Sequence, residues 1–196
     1  MNSALILAYL GVVLMVGVSG LASAVATARC GMAAVGAMKK NSGAFGSYMI
    51  LSALPGSQGL YGFVGYFMVS GLISDAMSML TAVGIFGAGL LMAIVCLSSA
   101  VMQSKVCANG IAAIGNGNDV MGKTLILAAF PELYAILGVA ATFLVSSAIS
   151  PEGLENQAEL NAQYEAATIK VEAAAAEVEV EEVVAFEEAA AEVVAE

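Results

Sequence analysis

The chain contains no histidine and no tryptophan, and only 11% of its 196 residues are charged. That is under half the charged share of an ordinary soluble domain, about 25%. Without histidine there is no imidazole base and no histidine metal site. Cysteine is scarce and odd in number, at Cys30, Cys96 and Cys107, with no Cys-x-x-Cys spacing. Those three read as small apolar residues rather than a disulfide framework or a thiolate site. No basic cluster is present to meet nucleic acid. What fills the chain is apolar: 60% hydrophobic residues and a mean hydropathy of +0.91. A soluble domain of this length has too little interior to hide so much. The composition excludes a soluble enzyme and a disordered chain, and describes an integral membrane protein.

Charge is divided unevenly. The segment 1–150 carries Arg29, Lys39, Lys40, Lys105 and Lys123 against Asp75, Asp119 and Glu132. The segment 151–196 carries thirteen Glu against Lys170, so the formal charge of −10 belongs to the tail. This Ala/Glu/Val-rich extension reads as a frayed helix or an unstructured segment.

The body has long neutral runs: 2–28, 41–74, 76–104 and, with Glu132 as its one charge, 124–151. A spanning helix needs about 20 apolar residues. The runs predict four transmembrane helices near 4–28, 46–73, 79–104 and 124–148. Ala22-Ser23-Ala24 resembles a signal-peptide cleavage site, but the basic start of such a peptide is missing.

The body also repeats itself. Gly31-Met-Ala-Ala-Val-Gly36 returns as Gly110-Ile-Ala-Ala-Ile-Gly115, and Leu54-Pro55-Gly56 returns as Phe130-Pro131-Glu132. This predicts two tandem helical hairpins, 1–75 and 76–150, followed by the tail 151–196. Each hairpin has a polar loop, near 29–45 and 105–123. Basic residues flank both loops, while the connector between the hairpins holds only Asp75, so the loops are expected in the cytoplasm and the termini on the other side. Rows of small residues, Gly20/Ala24/Ala28, Ser19/Ser23/Thr27 and Gly89/Ala93, predict close helix packing.

Glu132 is the only acid inside a predicted span, nine residues from Lys123, or about 13 Å along a helix. That depth is near mid-membrane, where a carboxylate is a functional candidate. Ser57, Gln58 and Tyr61 share one face after Pro55, and Gln103 lies near the loop end of the third span. These oxygens suit a hard cation held by Glu132. The two prolines interrupt the helical ladder and could free backbone carbonyls for the same purpose.

Leu54-Pro-Gly-Ser-Gln-Gly-Leu-Tyr61-Gly-Phe and Phe130-Pro-Glu-Leu-Tyr134 resemble the paired motifs of the membrane rotor proteolipids of V-type ATPases and ATP synthases. The resemblance covers about residues 5–148. It implies a homo-oligomeric membrane ring that turns against a stator subunit bearing an Arg, with central-stalk subunits at the cytoplasmic loops. It implies one ion per essential carboxylate, and ATP hydrolysis or synthesis on other subunits. In sodium-carrying members the pattern places a main-chain oxygen at Leu54, a hydroxyl at Ser57, amide oxygens at Gln58 and Gln103, the carboxylate at Glu132, and a hydrogen bond to it from Tyr61. Ser57 stands where that pattern has Thr. Sodium is therefore favoured over protons as the transported ion. No cofactor is implied, and the expected setting is a prokaryotic plasma membrane. A small secondary transporter with a midplane acid is the competing reading. Such folds often use inverted repeats, whereas both halves here start on the same side.

Overall fold

A computed structural model describes residues 3–169. Every regular element among them is helical. Helix α1 runs Ser3–Met38, with one π-turn over Leu14–Val18. Helix α2, Phe45–Ala53, and helix α3, Ser57–Ser70, are separated by a 3-10 turn at Leu54–Gly56. Helix α4 is Met79–Gly115 and helix α5 is Met121–Ala148. Residues up to Ser150 form one compact unit. A second unit begins at Pro151, and its stretch 151–169 is an exposed helix. The rest of the acidic tail lies outside the described residues.

Among the described residues, three helices are long and apolar enough to cross a membrane: α1, α4 and α5. The predicted span 46–73 is instead two shorter helices. Pro55 offers no N–H and clashes with the preceding turn, so the helix tightens there and restarts at Ser57. Pro131 has no such effect, and α5 continues through it. The two prolines are equivalent in sequence but not in structure.

The predicted loops are corrected as well. Helix α1 continues past Arg29 to Met38, and α4 past Lys105 to Gly115, leaving turns of only 39–44 and 116–120. A charge ends an apolar run but not a helix, because Arg, Lys and Ala are good helix formers. The 37 residues of α4 extend about 55 Å, well beyond a hydrocarbon core of about 30 Å. Helix α4 starts where the Ser78 hydroxyl caps the Thr81 N–H at 3.0 Å. It stops at Gly117, whose φ of +88° is the one positive value among the described residues.

Helix α4 is the centre of the body and packs against α1, α2, α3 and α5. Small residues set how close it comes. A Cβ on Gly89 would run into the Gly11 carbonyl of α1. Ala22, Ala26 and Ala100 form a small cluster farther along the same interface. Of the predicted rows, Ser19/Ser23 and Gly89/Ala93 are buried, whereas Ala24 and Ala28 are exposed on the single chain. Large apolar side chains such as Leu10, Val13, Phe67, Leu133 and Leu144 are exposed too, which suits a lipid or subunit surface.

Two apolar clusters divide the core. One holds Met15, Val69, Ile85, Met92 and Ala135; the other holds Cys30, Tyr48, Leu51, Cys107, Ile111 and Ala128. On α2–α3, α4 and α5 alike, the polar residues Gln58, Gln103 and Glu132 fall between members of the two clusters. The fold thus sandwiches one polar layer between two greasy ones.

Candidate functional site

The break at Pro55 builds the first side of that layer. Restarting a helix leaves its first amides without intrahelical acceptors. One is satisfied from α1: the Gly59 N–H donates to Ser23 Oγ at 2.8 Å. The Ser57 hydroxyl donates to the Leu54 carbonyl at 3.1 Å. These contacts anchor the first turn of α3 and aim Gln58 into the bundle, where it is fully buried.

A chain of hydrogen bonds then crosses three helices. Gln58 Nε2 donates to Ser99 Oγ at 3.0 Å and to Gln103 Oε1 at 2.9 Å. Gln103, also fully buried, donates from Nε2 to Glu132 Oε2 at 3.0 Å and to the Ala128 carbonyl at 3.0 Å. From α3, Tyr61 donates its hydroxyl to Glu132 Oε1 at 2.8 Å. Each carboxylate oxygen thus receives one donor and keeps lone pairs free. Glu132 itself is half-buried.

One atom in this layer has no partner. Gln58 Oε1 is buried and accepts nothing, at a cost of about 1–3 kcal/mol for such an orphan. An oxygen left so, on a side chain linked to a carboxylate through Gln103, is what a hard cation would satisfy. The Leu54 carbonyl and Ser57 hydroxyl lie against each other one turn before Tyr61, and no hydrogen bond joins them to Glu132 among the described residues. Gln103 presents its nitrogen, not its oxygen, to the carboxylate, because Gln58 occupies that oxygen.

Sequence reasoning missed Ser99 and Ser23. Ser99 lies one turn before Gln103 on the same face of α4, a spacing that could have flagged it. The repeat offset of 76 that pairs Leu54 with Phe130 also pairs Ser23 with Ser99. Both hydroxyls accept from the start of α3. The three cysteines are free and buried, in keeping with small apolar residues. The segment Gly117-Asn-Asp-Val-Met-Gly-Lys-Thr124 has the spacing of a phosphate-binding P-loop. Its context is wrong, since a helix precedes it rather than a strand. Thr124 is committed elsewhere, donating to the Val120 carbonyl at 2.8 Å and packing against Gly110.

Comparison with known proteins gives the chain a family. The family of ATP synthase C subunits matches twice, over residues 10–69 and 86–145, an offset of 76 once more. The V-type sodium ATPase subunit K of Enterococcus hirae is 38% identical over 127 residues, covering 65% of this chain and 81% of that protein. The A-type ATP synthase subunit K of Methanocaldococcus jannaschii is 32% identical over 162 residues, covering 82% of this chain and 71% of that protein. With both halves matched to the family and two such relatives, the chain belongs to the family of ATP synthase C subunits, as a membrane proteolipid of the V/A-type ATPase rotor and not an enzyme in its own right.

Proposed function

We propose that this chain is an ion-carrying rotor-ring subunit that loads one sodium ion per chain on Glu132. The observation that carries the reading is the buried, unpartnered Gln58 Oε1 beside the Gln58–Gln103–Glu132–Tyr61 chain. A proton needs only the carboxylate and one partner. Sodium needs about five or six oxygens, by analogy with other hard cations. Glu132, Gln58, Ser57 and the Leu54 carbonyl offer oxygens, and Gln103 would join them by turning its amide. The name of the Enterococcus hirae relative, a sodium ATPase subunit, favours the same ion.

In this reading residues 1–75 and 76–150 are two hairpins of four spans in all, with α2 and α3 together making the second. The ion neutralises Glu132 while the subunit faces lipid. At the stator subunit an Arg favours the bare carboxylate and releases the ion. Tyr61 holds Glu132 in its ion-facing rotamer. Sodium is expected to slow the reaction of dicyclohexylcarbodiimide with Glu132, because that reagent needs the protonated acid. Protection should fade as pH falls, since protons compete for the same carboxylate. Labelling rates indifferent to millimolar sodium at neutral and alkaline pH would instead make protons the carried ion.

The basic end of the body, with Lys39, Lys40 and Lys123, faces the cytoplasm and the central stalk in this reading. Both termini face away. In a chain whose three cysteines are replaced by alanine, Asn118→Cys should react with an impermeant maleimide from the cytoplasmic side and Ser147→Cys from the opposite side. The reverse pattern would invert the topology.

A further inference from the structure

Arg29 is a charge that the proposed site does not use. It lies ten residues before Lys39, much as Glu132 lies nine after Lys123, so the two sit at similar depth from the same end of the body. The hydrogen bonds give the same level independently. Arg29 Nη1 donates to Ser104 Oγ at 3.2 Å. Ser104 is fully buried on α4 and follows Gln103, which holds Glu132. The next residue of α1 grips the same partner, as Cys30 Sγ donates to the Ser104 carbonyl at 3.5 Å. Two consecutive residues of α1 thereby fix the guanidinium one residue, and about 100° of helical turn, from Gln103. The other acids of the body, Asp75 and Asp119, lie in the connector and the turn, not at this level.

We propose that Arg29 is a fixed positive charge that sets the cation affinity of Glu132. It repels the arriving ion and favours the empty, charged carboxylate, keeping the site weak enough to unload. The proposal rests on the reading of Glu132 as ion carrier. Across one helix, two charges are on the order of 10 Å apart, and at an effective dielectric near 20 their interaction changes binding by roughly tenfold. Lys105 is a built-in comparison. It is two residues from Gln103, but it lies on the outer face of the single chain with Nζ resting 3.6 Å from Met102 Sδ, so its charge is not held against the residues of the site as that of Arg29 is.

The test is equilibrium binding of radioactive sodium to the purified, assembled full-length protein at one fixed pH. Arg29→Gln should lower the half-saturating sodium concentration about tenfold, by removing one charge at that separation. Arg29→Lys should restore the wild-type value, and Lys105→Gln should change it less than twofold. If the glutamine variant does not assemble, Ser104→Ala supplies the reading. It keeps the charge but frees the guanidinium to swing away, and should tighten binding by a smaller factor. Unchanged affinity in Arg29→Gln, or an equal shift in the glutamine and lysine variants, overturns the inference and leaves Glu132 as carrier intact. A wild-type protein that binds no sodium overturns both.

Discussion

Glu132→Gln is expected to reduce ion-coupled turnover of the assembled complex to background while leaving the subunit assembly intact. The substitution is nearly isosteric, and the local hydrogen bonds can be rebuilt. The new amide oxygen can accept from Gln103 Nε2, and the new amide nitrogen can donate to the Tyr61 oxygen, replacing the two bonds that now end on the carboxylate. Burial of a charge is relieved, so stability should hold or rise. What cannot be rebuilt is the change of charge. A neutral amide has no bare anionic form for the stator to favour and no charge with which to hold a cation. Sodium uptake by reconstituted vesicles and the size of the assembly on a native gel measure the two halves of this expectation. Substantial coupled uptake by the variant would end the assignment of Glu132 as carrier.

The chemistry of the site was more legible in the sequence than its walls. Glu132 stands out as the one acid in an apolar run, and Gln58 and Tyr61 follow from spacing after Pro55. Gln103 is 29 residues from Glu132, and no local periodicity joins them. Their meeting depends on how α4 and α5 pack, where Gly110 lies against Thr124 and Gly138 against Met92. Its polarity near the loop end of an apolar run marks Gln103 as a candidate, and the family resemblance gives it a place beside Glu132. Arg29 is obscure for a different reason. Hydropathy locates the end of an apolar run, and Arg29 ends one, but the helix runs nine residues farther to Met38. A residue expected at the edge of a loop therefore touches the residue next to the site. The P-loop spacing at 117–124 shows the converse, a motif whose residues are present while its strand is not.

Gln103→Leu separates sodium from protons within the same carboxylate. Leucine matches the glutamine in volume, and Gln103 is bordered by the apolar clusters on either side, so the packing cost should be modest. Three hydrogen bonds disappear together. Glu132 Oε2 and the Ala128 carbonyl lose a donor, and Gln58 Nε2 loses an acceptor. With sodium bound, Gln103 is expected to turn its amide oxygen to the ion, and a contact with a charged group contributes about 1.5–3 kcal/mol, so losing that ligand should lower sodium affinity by up to roughly ten- to a hundredfold. The donor lost from the empty, charged carboxylate acts the other way and offsets part of that fall. A proton asks much less of its surroundings, because Tyr61 still reaches Oε1. Dicyclohexylcarbodiimide should therefore still label Glu132 in Gln103→Leu, but sodium concentrations that protect the wild type should no longer slow it. Ser99→Ala removes only one of the two acceptors of Gln58 Nε2 and should keep most of the protection. Full wild-type protection in Gln103→Leu would return Gln103 to a structural role. The cation would then have to be held by Glu132, Gln58 and the Leu54–Ser57 turn without it.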